Sequence, residues 1–384
     1  MRVMMKQMTI RYWFEKARAF VKQETVLSAA VIMAVVSSLF YRPRIAYIDW
    51  EVLCVLWALM LVVAGLKSVR FLDWSAVELL QLCGSRRQVT LVLVGITFVS
   101  SMFVTNDVAL LTFVPLALVI GKAAKMDMPL VIILQTLAAN LGSMFTPAGN
   151  PQNLFLYAHY DFTAESFFGI MLLPTLLSVV YIILLIYNGQ DRKLSLQLQR
   201  MECPEKRITA IYLALLFCNI AAVLHFVDKY TALAVTVVAV LFMNRKLLLQ
   251  VDYSLLVTFI GFFIFIGNIS HTDIVRFLQD NVLNSAAGTY LAALVSSQLI
   301  SNVPAAMLLA ALTKEAEALL LGVNIGGLGT LIASMASVIS YKLFAAEHPY
   351  QAGNYLKMFL FYNFLGLLLI GTAVYFLLIW KAGV

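Results

Sequence analysis

The sequence predicts an all-α polytopic membrane protein made of two inverted-topology repeats, each with a re-entrant helical hairpin and a broken transmembrane helix. Three observations carry this expectation. The 384 residues are 62% hydrophobic and 12% charged, with mean hydropathy +0.90, whereas a soluble chain is roughly half apolar and about a quarter charged. Several apolar runs approach the roughly 20 residues a spanning helix needs. Two polar stretches also stand at matching places in two apolar halves. Ser101-Met102-Phe103-Val104-Thr105-Asn106-Asp107 is followed by Asn140-Leu141-Gly142, and Ser297-Gln298-Leu299-Ile300-Ser301-Asn302-Val303 by Asn324-Ile325-Gly326. Polar breaks at corresponding positions of two apolar halves mark a chain built from internal repeats.

Taken in order, residues 1–23 carry Arg2, Lys6, Arg11, Lys16, Arg18 and Lys22 among Met, Trp13 and Phe14. They read as an amphipathic cytoplasmic segment on the membrane surface. A cleaved signal peptide is the rival, but no small-x-small site follows the next apolar run. The first repeat, 24–188, holds spans at 25–41 and 48–66 and an amphipathic interlude at 70–83. An apolar run at 88–121 is broken by Thr105-Asn106-Asp107, another at 129–158 is broken by residues 145–151, and 167–187 is a clean span. Residues 189–207 form a charged cytoplasmic linker, and 208–228 a connecting transmembrane helix. The second repeat, 229–384, repeats the order: spans at 230–243 and 252–268, an amphipathic stretch at 272–284, broken runs at 287–313 and 319–341, and a span at 356–380.

An interrupted run is either two full spans or one hairpin that enters and leaves by the same face. Two spans would leave Asn106 and Asn302 in water at loop tips. Their flanks, Val104 and Val108, and Val303-Pro304-Ala305, are apolar, which favours hairpins packed inside protein, where non-helical backbone is tolerated. Counting charge with the hairpins not crossing places all of the 27 Lys and Arg on the inner side except Arg42, Arg44, Lys229, Arg276, Lys314 and Lys381, as positive-inside topology requires. The first repeat then has four crossings and the connecting helix a fifth, so the second repeat starts on the opposite face.

The same composition excludes other classes. The net charge of +7 is explained by basic inner loops, so no nucleic-acid partner is expected. Cys54, Cys83, Cys203 and Cys218 show no metal or disulfide spacing. His159, His225, His271 and His348 lie near segment ends without a metal-binding pattern. No nucleophile–base pair lies within the apolar runs, so an enzyme is not expected. No nucleotide-binding motif is present either: Gly326-Gly327-Leu328-Gly329-Thr330 lacks the following Gly-Lys-Ser/Thr of a phosphate loop.

What remains is chemistry at the breaks. Asp107 is the one acidic residue amid a long apolar run, where charge costs several kcal/mol unless paired or neutralised. It reads as a proton carrier or cation ligand, or as the N-cap of the next helix. Asn106 and Asn302 offer donors and an acceptor at the hairpin tips. In Thr146-Pro147-Ala148-Gly149-Asn150-Pro151-Gln152-Asn153, Pro147 and Gly149 end one helix. Asn150-Pro151 then starts another as N-cap and N1, whose N-terminus suits an anion. The glycines at 326–329 unwind the second broken helix, which lacks an Asn-Pro pair. Ser334, Ser337 and Ser340 share one helical face, either as a polar path or as small residues for packing.

At these residues the chain resembles the ion transporter superfamily, and within it the ArsB/NhaD and SLC13-like anion permeases with a citrate transporter-like domain. The resemblance runs over about residues 25–380. It rests on Thr105-Asn106-Asp107 through Pro115, Gly142 through Asn153, Ser301-Asn302-Val303-Pro304, and Gly322 through Gly327. It implies a secondary active permease of a small anion, such as a di- or tricarboxylate or an inorganic oxyanion. The permease would work by elevator-like alternating access coupled to Na⁺ or H⁺, as a homodimer in the cell membrane, with no other cofactor. Substrate-binding residues would be Thr105, Asn106, Asn140, Thr146, Asn150, Ser301, Asn302, Asn324 and Thr330. The coupling ion would involve Asp107, Asn106, Asn140, Gly142, Asn302, Asn324 and Gly326. The alternatives are a Na⁺/H⁺ antiporter of the NhaD type and an arsenite permease. Asp107 and Val303 depart from the Ser-Asn-Thr tips usual in dicarboxylate carriers.

Overall fold

The structure, a computed structural model, describes residues 24–194, 201–270 and 272–380. The expected amphipathic segment 1–23 and part of the linker lie outside these residues. The described residues form seventeen α-helices and no strand. The first half comprises α1 (Thr25–Phe40), α2 (Trp50–Ser68), α3 (Phe71–Leu80), α4 (Arg86–Val104), α5 (Asn106–Ala124), α6 (Pro129–Ser143), α7 (Pro151–His159) and α8 (Ala164–Tyr187). Helix α9 (Lys206–Val223) connects it to α10 (Lys229–Asn244), α11 (Tyr253–Ile269), α12 (Asp273–Asn281), α13 (Ala286–Ile300), α14 (Asn302–Ala310), α15 (Ala316–Ile325), α16 (Met335–Glu347) and α17 (Ala352–Val374). Among the described residues, seven helices are long and apolar enough to cross a membrane.

Several helices begin where a polar side chain satisfies one of the first free backbone N–H groups. Corresponding helices use corresponding caps. The Asp49 carboxylate accepts from Val52 N at α2 (3.0 Å) and the Asp252 carboxylate from Leu255 N at α11 (3.2 Å). Ser85 opens α4 and Ser285 opens α13 in the same way (3.4 and 3.2 Å).

The halves pack by exchanging partners. Helix α1 lies on α11 and α2 on α10; α5 lies on α16 and α14 on α7; α6 touches α17 and α15 touches α8. Swapping each helix for its repeat counterpart returns the same set of pairs, which is the signature of a pseudo-two-fold relation. Lateral ties place the two hairpins on opposite faces. The base of the α4–α5 hairpin is clasped to the linker: Arg86 N donates to Arg192 O (2.9 Å), Leu194 N to Gly84 O (2.9 Å), and Arg192 Nη2 to Lys125 O (2.8 Å). Asp191 completes the clasp by accepting from Arg87 N (3.0 Å) and Ser85 Oγ (3.2 Å). The Arg87 N–H bond above all holds its carboxyl below the usual carboxylate range. Helix α16 ends at this base, where Glu347 pairs with Lys122. Helix α7 runs to the other base, where Tyr160 Oη donates to Ala310 O (3.2 Å) and Thr313 O (3.0 Å). One hairpin therefore opens on the linker face and the other on the opposite face.

Two bodies result. The hairpins, α6–α8 and α15–α17 form a core. Helices α1, α2, α9, α10 and α11 form a frame around part of it. The two meet through α2 and α11 against α7 and α14, with Phe155 of α7 set between Phe259 and Phe263 of α11 (centroids 6.5 and 5.8 Å).

Candidate substrate site

Both hairpins turn at a single residue in the left-handed half of backbone space, Thr105 (φ 70°, ψ 152°) and Ser301 (φ 76°, ψ 154°). A non-glycine residue is held in such a conformation only by its surroundings. Each turn is followed by an Asn whose Oδ1 accepts the next backbone N–H at 3.0 Å: Asp107 N onto Asn106, and Val303 N onto Asn302. Asn106 is 5% exposed and Asn302 4% exposed, so neither tip is a loop in water, as the apolar flanks predicted.

The broken helices are also paired. Thr146 Oγ1 donates to Met102 O in the first half, and Thr330 Oγ1 to Gln298 O (3.1 Å) in the second. Each threonine therefore anchors its unwound loop to the neighbouring hairpin. Gly142 and Gly326 lie where a Cβ would collide with the hairpin serines, 2.6 Å from Ser101 Oγ and 2.8 Å from Ser297 Oγ. Their evident role is close helix approach.

The loops themselves are braced by different residues. Asn153 Nδ2 gathers the carbonyls of Met144 and Thr146 (both 3.0 Å), whereas Gln298 Nε2 gathers those of Gly326 (2.8 Å) and Leu328 (2.9 Å).

The centre joins the halves. Asn140, on α6, accepts from Asn106 Nδ2 (3.2 Å) and from Ser334 Oγ (2.9 Å), and donates to Ser337 Oγ (3.3 Å). Asn324, on α15, accepts from Asn150 Nδ2 (3.2 Å) and donates to Asn153 Oδ1 (2.6 Å). Each broken-helix Asn thus holds the cap and the third residue of the other repeat's half-helix. Ser334 and Ser337 are the counterparts of Asn150 and Asn153, so the second break does have an equivalent of the first. The Ser334 side chain bonds across to Asn140 and leaves its own helix uncapped, whereas Asn150 also caps α7 through Asn153 N (2.8 Å). Ser334, Ser337, Asn153 and Gln298 were not among the expected site residues. The matching spacing of Asn140–Asn150–Asn153 and Asn324–Ser334–Ser337 is the signal that finds Ser334, Ser337 and Asn153.

Two cavities lie between frame and core at this cluster. One, of about 820 Å³, is lined by α2, Thr105, Asp107, Asn150 and the Gln250–Asp252 turn. The other, of about 490 Å³, touches Asn106, Asp107, Pro151, Asn302, Ser334 and Met335, so both hairpin tips and both half-helix starts reach it. Asp107 and Asp252 line both. Among the described residues, Asp107 Oδ1 is buried without a hydrogen-bond partner. Of the expected residues, Thr105, Asn106, Asp107, Asn150, Ser301 and Asn302 line the cavities. Asn140, Thr146, Asn324 and Thr330 stand behind them as supports.

Two inverted repeats with polar breaks meeting at one buried centre define a membrane transporter. The chain belongs to the citrate transporter family, whose family model matches residues 15–319. It is 31% identical over 300 residues to an uncharacterized transporter of Methanocaldococcus jannaschii, covering 77% of this chain and 81% of that one. It is 28% identical over 300 residues to the inner membrane protein YbiR of Escherichia coli, covering 78% and 81%. A shorter match, 26% identical over 149 residues, links it to a putative transporter arsB of Dictyostelium discoideum, covering 38% and 26%. Among solved structures it matches the YdaH transporter of Alcanivorax borkumensis with TM-score 0.49 and 15% identity, covering 85% of each chain.

Proposed function

We propose that this protein is a secondary active transporter of a small anion, coupled to Na⁺ or H⁺. The carrying observation is the convergence of four helix N-termini, those of α5, α7, α14 and α16, on one cavity. Helix N-termini present free N–H groups and partial positive charge to an anion. Asn106 and Asn302 at the tips supply the side-chain hydrogen bonds that orient it, while Asn150 and Ser334, whose donors are given to Asn324 and Asn140, fix the half-helices. Asn140 and Asn324 hold these groups in place. Asp107 carries the coupling ion, as a proton or as a carboxylate beside Na⁺. The cavities between frame and core support elevator-like movement of the core, and the linker face is assigned to the cytoplasm from its basic residues. The protein is read as a homodimer in the cell membrane. The test is uptake by purified protein in proteoliposomes under imposed Na⁺ or pH gradients, with a panel of labelled anions. Absence of gradient-dependent uptake for every anion would sink the reading.

The unpartnered Asp107 oxygen favours one second reading, a Na⁺/H⁺ antiporter with Asp107 as the exchange site. In that case proteoliposomes exchange Na⁺ for H⁺ with no organic or oxyanion present.

A further inference from the structure

Both cavities open toward one face. Helix α2 ends at Ser68, and α3 leads from there to the clasp at Ser85. The larger cavity follows α2 from Leu56 to that end, where Lys67, Ser68 and Gln250 line it. The smaller one reaches Glu24 before α1, Asp252 before α11 and Lys342 near the end of α16. All of these lie on the linker side of the hairpin tips. On the other side, α7 runs from Asn150 to the opposite base, with α2 packed against it. Phe155 of α7 is 3% exposed, held between Phe259 and Phe263 of α11 and stacked on His159 (centroids 5.2 Å). A void of about 10 Å³ remains there, among Val52, Leu154, Tyr157 and His225. One water molecule needs about that much, 10–15 Å³, so the path past α7 is shut to any solute.

The pseudo-two-fold gives this seal a counterpart. Asn150 and Asn153 match Ser334 and Ser337, so Phe155, five residues beyond Asn150, matches Ile339. Asp49 and Asp252 cap matching helices, so Phe259 and Phe263 match Leu56 and Met60. In one repeat these positions form a closed seat. In the other, Leu56, Met60 and Ile339 all line the larger cavity. The pair spaced four apart on α2 presents one helical face, as the pair on α11 does. The two seats differ in chemistry: one is built of rings, the other of aliphatic side chains. Ring-on-ring packing adds to what area burial alone supplies, and the aliphatic seat lacks it.

We propose that the frame has two alternative seats for the core: Phe155 between Phe259 and Phe263 seals the face opposite the linker, and in the other state Ile339 docks between Leu56 and Met60 and seals the linker face. The aromatic seat is the stronger, so the protein rests open on the linker side. This rests on the transport reading above and names its two gates. The test is disulfide formation between Met60→Cys and Ile339→Cys in the full chain in membrane vesicles, with Cys54, Cys83, Cys203 and Cys218 changed to Ser. The cross-link is expected to form slowly, and to form about tenfold faster when Phe155→Leu removes the ring contacts. A single Ile339→Cys should react with a membrane-impermeant maleimide from the linker side, and more slowly in the Phe155→Leu background. Restoration of the uncross-linked protein and of its uptake by a reductant shows that the trapped state is folded. No cross-link, or equal rates with Phe155 and with Leu in its place, would overturn the two seats. Cross-linking needs no transported solute, so its failure beside intact anion uptake removes the gates alone. Cross-linking at the expected rates in a protein that takes up no anion leaves the gates standing and removes the anion reading.

Discussion

At the first hairpin tip the chain turns at Thr105, caps its next N–H with Asn106, and then carries Asp107. At the second it turns at Ser301, caps with Asn302, and then carries Val303. The backbones are near copies, yet one holds a carboxylate where the other holds an isopropyl group. The comparison separates two jobs. Turning the chain and aiming the Asn amide needs the shared residues and is done twice. Charge is placed once, so under the proposed function coupling falls to one tip while both bind. The same division recurs in the broken helices. Asn140 and Asn324 exchange grips across the repeat, but they grip Ser334 and Ser337 on one side and Asn150 and Asn153 on the other.

The largest effect is expected where the halves are most alike. Asn324→Leu leaves Asn150 Nδ2 and Asn153 Oδ1 without their cross-repeat partner, at about 1–3 kcal/mol per buried unpaired group. Thermal unfolding of purified protein should show a loss of about 2–5 kcal/mol, and transport should vanish. Asn140→Leu should match it through Asn106 and Ser334. An Asn140→Leu protein with normal stability would break the equivalence of the two grips.

The next test addresses the difference between the tips. Asp107→Asn keeps the shape and leaves the Asn106 cap in place, but carries neither a proton nor a full charge. Gradient-driven accumulation should fall to background, while counterflow of bound substrate under equal ion gradients continues. If concentrative uptake stays at the wild-type level, Asp107 takes no part in coupling, and since it is the second residue of α5 and caps nothing, the tips differ in nothing that matters for coupling.

A smaller effect is expected at the glycines. In Gly142→Ala the new methyl meets the Phe98 carbonyl and Ser101, and in Gly326→Ala it meets the Gly322 carbonyl at 2.7 Å and Ser297 at 2.8 Å. Overpacking of this kind costs about 1–3 kcal/mol. Unfolding midpoints should drop for both, more for Gly142→Ala, whose methyl is blocked by the backbone of another helix. Wild-type midpoints would mean that the hairpins do not press on the broken helices as closely as they stand.

The smallest effect concerns the turns. Thr105→Gly and Ser301→Gly relieve a conformation that L-residues resist, worth about 1 kcal/mol, against the flexibility that glycine adds to the unfolded chain. Stability should change by less than about 1 kcal/mol, and equally at the two sites. Unequal shifts would show that one tip is held more tightly than the other.

Much of this was open to reading in the chain itself. Apolar runs of spanning length, the repeated Ser–Asn breaks and the clustering of basic residues in loops determined a membrane protein of two inverted halves. They did so because each is local: a helix must satisfy its own backbone in lipid, and a polar break within it is visible wherever it falls. Asn106, Asp107, Asn150 and Asn302 were legible for the same reason. Ser334 and Ser337 were not, because a serine row on a helix looks the same whether it packs or binds. Only the pairing across the pseudo-two-fold, which brings α16 against α6, makes them partners of Asn140. Gly142 and Gly326 likewise read as unwinding or ligand positions until the hairpin serines are seen beside them. Contacts between residues far apart in the chain decide these roles, and composition and periodicity carry no record of which surfaces will meet.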